Sequence, residues 1–123
     1  MFLKSLVALL PVVGRSLAVH LYVASAAGNL TTLSLVQNPD RTYCLTQTST
    51  FNTSTGKPSW LELNRQNSLL YMVDEGANGA NGTVTSYKTS FTGHLTEIHR
   101  VEALASGAHA GFYGSGSALA VPH

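Results

Sequence analysis

Charge and cysteine are both scarce in this chain. Lys, Arg, Asp and Glu together make up 11% of its 123 residues. No run of Lys or Arg occurs among them, so nucleic acid and anionic membrane surfaces are not expected partners. Cys44 is the single cysteine, which excludes an internal disulfide. Its setting between Tyr43 and Leu45 reads as a strand, and a buried structural thiol without an activating base is expected there. No long amphipathic helix is legible beyond the N-terminus. The apolar run over residues 5–13 is far shorter than the ~20 residues a membrane span needs. No Ser-His-Asp arrangement, Gly-rich phosphate loop or dinucleotide fingerprint appears, and no cofactor is expected.

The apolar run has another use. Met1-Phe2-Leu3-Lys4 supplies a short basic start, and Ser16-Leu17-Ala18 supplies small residues where a signal peptidase reads. Residues 1–18 are therefore expected to be a secretory signal, leaving residues 19–123 as the mature domain. Cleavage after Ala18 removes Lys4 and Arg15, so five Lys and Arg remain against six Asp and Glu. A secreted, extracellular product fits the three acceptor triplets for N-glycosylation, which begin at Asn29, Asn52 and Asn81. All three are expected in turns or loops.

What the sequence does contain is a repeat. Leu21-Tyr22-Val23-Ala24-Ser25, Leu70-Tyr71-Met72-Val73-Asp74 and Leu119-Ala120-Val121-Pro122-His123 begin 49 residues apart. A period of roughly 40–50 residues is that of one four-stranded propeller blade. The remaining pattern agrees with this period. Gly82-Thr83-Val84-Thr85-Ser86-Tyr87 alternates as a half-buried strand does. Leu95, Ile98 and Val101 alternate imperfectly, as an outer strand with a bulge would. Gly28-Asn29-Leu30-Thr31 opens like the Gly82 stretch. Residues 47–57, rich in Thr, Ser and Asn, are expected to form a polar loop between blades, and residues 76–82 a hairpin end. The expected fold is all-β: about two four-stranded antiparallel blades of a propeller. A closed ring takes typically 4–8 blades, on the order of 200–400 residues, so only its opening portion is expected here.

The ordered series Leu21 to Ser25, Pro58-Ser59-Trp60-Leu61-Glu62-Leu63, Leu69 to Asp74 and Gly82 to Tyr87 resembles the start of the fungal seven-bladed propeller lactonase family. That family includes 6-phosphogluconolactonase-like proteins and carboxy-cis,cis-muconate cyclase. The resemblance implies that residues 58–63, 69–74, the Gly82 stretch and the His94 stretch are the four strands of one blade, innermost first. It places residues 107–113 as the next innermost strand, with His109 near its channel end. It further implies a lactone or sugar acid as ligand, and acid/base groups supplied mainly by later blades. An inactive fragment follows from it as an expectation.

His109 and His123 are the candidate catalytic residues, because both map to strand ends that border a central channel. His20, His94 and His99 show no ligand spacing, and no metal site is expected. Asp74 and Glu75 are adjacent on a strand and point to opposite faces, so a strand-end capping role is expected in place of paired acid/base work. Trp60 could stack on a sugar ring, but packing between blades fits better beside Leu61 and Leu63. The rival to the lactonase reading is a non-catalytic secreted propeller-type binding module or the product of a degraded gene, and uncovered blade edges predict self-association.

Overall fold

The computed structural model describes residues 17–53, 56–78 and 80–123. The expected signal segment lies outside these residues except for Leu17 and Ala18. Nine strands and no helix are found among the described residues. β1 (Val19–Ser25), β2 (Asn29–Gln37) and β3 (Tyr43–Asn52) form a first antiparallel sheet in that order. β4 (Pro58–Asn64), β5 (Leu69–Asp74), β6 (Gly82–Thr89) and β7 (Leu95–Ala103) form a second, and β8 (Gly111–Tyr113) and β9 (Ala118–Ala120) a third. The second sheet is one complete four-stranded blade. The 49-residue repeat aligns β1 and β9 with β5, the second strand of that blade, so the first sheet begins one strand late.

Period-two alternation decides which face each residue joins. On β5, Leu70 and Met72 face the first sheet, and with Tyr87, Leu95 and Leu30 they form the core. Tyr22, Ala24, Phe51 and Leu61 pack around that cluster. The core therefore sits between sheets one and two, with Leu30 and Met72 fully buried. Each such side chain contributes roughly 1.5–3 kcal/mol relative to exposure. Phe51 and Tyr87 meet across the seam with ring centroids 5.9 Å apart. The opposite face of β5 turns toward the third sheet, where Tyr71 meets Phe112 edge-on at 5.6 Å.

Polar ties complete the stacking. Arg100 on β7 donates to the Thr53 carbonyl at 3.3 Å and to Glu97 at 3.0 Å. The Ser59 hydroxyl donates to the Gly107 carbonyl at 3.1 Å, holding the segment that enters β8. The imidazole of His20 lies close against the turn at Gly93. A Cβ there would stand 2.6 Å from the ring, and the φ of +80° also favours glycine.

The expected outer-strand bulge is present: the β6–β7 register slips between Ser86 and Tyr87, leaving Ile98 without a partner. β3 carries a matching slip opposite Thr32 and Leu33. Three expectations about the first sheet are overturned. The polar stretch read as a loop from residue 47 continues β3 as far as Asn52. Cys44 is exposed, not buried, because β3 is the outer strand of its sheet and its first half has no covering layer. Asn29 and Asn52, expected in turns or loops, belong to strand ends directly opposite each other, whereas Asn81 lies outside the strands, immediately before β6.

Candidate functional site

The inner strand β4 places Trp60 and Glu62 two residues apart and so on one face. A register slip between Pro58 and Trp60 frees Ser59 from the ladder, which is why its hydroxyl can reach Gly107. The Trp60 indole N–H donates to Glu62 Oε2 at 3.0 Å. The ring of His109 lies 4.1 Å from that of Trp60, centroid to centroid, at an interplanar angle of 44°. Beside Glu62 on the same face stands its cross-strand partner Tyr71, edge-on to Phe112. The result is a corner at the inner end of two successive sheets. It presents an indole face, a carboxylate and an imidazole, with His109 exposed. An aromatic plane beside hydrogen-bonding groups is suited to a small polar ring.

Of the two histidine candidates, only His109 joins this corner. His123 donates from Nδ1 to the Ala105 carbonyl at 3.3 Å and covers Gly107, where a Cβ would stand 3.0 Å from its ring. That contact closes the loop behind His109. Glu62 was not singled out by the sequence reading, although it is the i+2 neighbour of Trp60 on an inner strand.

Asp74 and Glu75 do part company. Asp74, 1% exposed, accepts from the Lys57 N–H at 3.0 Å and the Gly76 N–H at 2.8 Å, while Glu75 pairs with Lys57 Nζ at 3.1 Å. Both close the entrance to β4. Among the described residues no group of three or more His, Cys, Asp and Glu could hold a metal ion. A groove of about 490 Å³ opens at the far end of β4, lined by His20, Tyr22, Leu63, Arg65 and Phe91. It holds no carboxylate and no reactive pair.

No curated protein and no solved structure matches the chain. A family model does: Lactonase, 7-bladed beta-propeller, over residues 18–123. The match spans all nine strands and agrees with a stack of antiparallel sheets whose inner strands carry the polar corner. The chain belongs to the seven-bladed β-propeller lactonase family.

Proposed function

We propose that this chain is the N-terminal part of a secreted propeller that binds a sugar-acid or muconate-type lactone at its channel, of the fungal 6-phosphogluconolactonase or muconate-cyclase kind. The observation that carries the reading is the Trp60–Glu62–His109 corner at the inner ends of two successive blades. The indole plane would lie against the lactone ring, and Glu62 would accept from ring hydroxyls. His109 would donate to the carbonyl or to the carboxylate of the opened acid.

Hydrolysis also needs an activated water and a stabilised oxyanion, placed by groups converging from several sides. Nine strands supply one such side. We therefore assign the isolated chain a binding role without turnover. The rival reading, a propeller-type binding module that never catalyses, draws support from Asp74, the buried carboxylate, being engaged by two backbone N–H groups.

Trp60 is the single tryptophan, so its fluorescence reads the corner directly. Titration with glucono-1,5-lactone or gluconate is expected to give a saturable change, lost in Glu62→Gln and His109→Ala. An unresponsive Trp60 would remove the basis for the reading.

A further inference from the structure

Ser59 and Trp60 are neighbours in the chain, and on a regular strand they would point to opposite faces. Both nevertheless reach one short segment. The Ser59 hydroxyl donates to the Gly107 carbonyl at 3.1 Å, and the Trp60 ring centroid lies 4.1 Å from that of His109. The cause is the register slip between Pro58 and Trp60. An extra residue in one strand re-aims its side chain, and here it turns Ser59 toward the backbone that carries His109. A hydroxyl has one proton to give. The Val73 carbonyl stands further off, at 3.5 Å, so Gly107 is the better acceptor.

The segment keeps its place in the fold by other means. The Ser106 N–H donates to the Glu75 carbonyl at 2.9 Å, and Ala110 is 1% exposed. Between these anchors Gly107 is buried, whereas Ala108 and His109 are exposed. What the Ser59 bond adds is the aim of that exposed pair. The repeat shows that a blade does not require it: the position one repeat after Ser59 is Ala108, which has no hydroxyl to donate.

We propose that Ser59 is a positioning residue of the corner, fixing the Gly107 carbonyl so that the His109 ring stays against Trp60. Glu62 holds the indole through its N–H, and Ser59 holds the imidazole through the backbone, so each ring has one holder on β4. The proposal rests on the lactone-binding reading only for its effect on affinity.

Acrylamide quenching of Trp60 in the full chain reads how much of the indole the imidazole covers. Ser59→Ala is expected to raise quenching and move emission to the red, in the direction of His109→Ala and by a smaller amount. Ser59→Thr keeps the hydroxyl and is expected to restore the wild-type values. In a His109→Ala background Ser59→Ala is expected to add nothing, because its effect passes through the imidazole. Gluconate is expected to bind Ser59→Ala about three- to tenfold more weakly, the worth of one hydrogen bond. Unchanged quenching in Ser59→Ala would overturn the proposal. So would an effect that persists in the His109→Ala background, since that marks a general loosening of β4. A chain that ignores gluconate while Ser59→Ala still uncovers Trp60 sinks the binding reading and supports the positioning role.

Discussion

The rings of Trp60 and His109 meet at a tilt of 44°, centroids 4.1 Å apart, and the two residues are themselves one repeat apart, 49 residues. The entry to each inner strand thus places a ring at the same station, and successive rings meet where the sheets converge. His109→Ala is expected to shift Trp60 emission to the red, since one side of the indole gains water, with far-UV circular dichroism unchanged. An unmoved emission maximum would mean that the rings do not touch in solution.

Asp74 is the more fragile carboxylate. Asp74→Ala strands the backbone N–H groups of Lys57 and Gly76 at a buried site, and a loss on the order of 2–4 kcal/mol is expected in urea unfolding. Glu75→Ala breaks only a pair whose Lys57 side chain is 51% exposed, so it is expected to stay within about 1 kcal/mol of wild type. Equal losses for the two would refute the capping assignment.

Tyr87 is 1% exposed, and its hydroxyl lies near Thr85 and Arg100 without closing a well-formed hydrogen bond to either. Tyr87→Phe is therefore expected to change stability by less than about 1 kcal/mol, whereas Tyr87→Ala opens the core at a cost of ~3–5 kcal/mol. Burial, reinforced by the Glu97 carboxylate, pushes the Tyr87 phenol above its ordinary value, and burial raises Tyr22 in the same direction. A raised phenol leaves its contribution intact below the unfolded value of about 10. The contribution is then lost as pH climbs toward the folded value. Alkaline unfolding should be shallower in Tyr87→Phe, as pH-dependent circular dichroism would record.

The repeat, the four strands of the second sheet and the bulge in β7 were legible because apolar side chains alternate wherever a second layer covers them. β3 was half legible for the converse reason. Residues 47–52 lie on an outer strand that is mostly exposed, so no alternation marks them and their Thr and Ser content imitates a loop. Cys44 misled on the same strand. In the corner, Trp60 and His109 were each singled out but not joined, although the leucine period applied to them would have joined them. Glu62 carried no signal beyond its i+2 position.

Asn29 and Asn52 face each other as Cα partners, and the Thr31 hydroxyl of the first triplet is bonded to Thr50 at 2.7 Å. Asn29 is half-buried, while Asn52 and Asn81 are exposed. If the chain is secreted as proposed, glycans are expected on Asn81 and Asn52, and no molecule should carry them on Asn29 and Asn52 together. Glycopeptide mass spectrometry decides this, and a doubly modified pair would contradict the register.

The central claim is that these blades hold a lactone but do not turn it over. Its most direct test is a pH-stat record of glucono-1,5-lactone hydrolysis by the purified chain beside a heat-denatured control. The account predicts identical rates. A faster rate that Glu62→Gln abolishes would contradict it, placing a complete catalytic set within these nine strands.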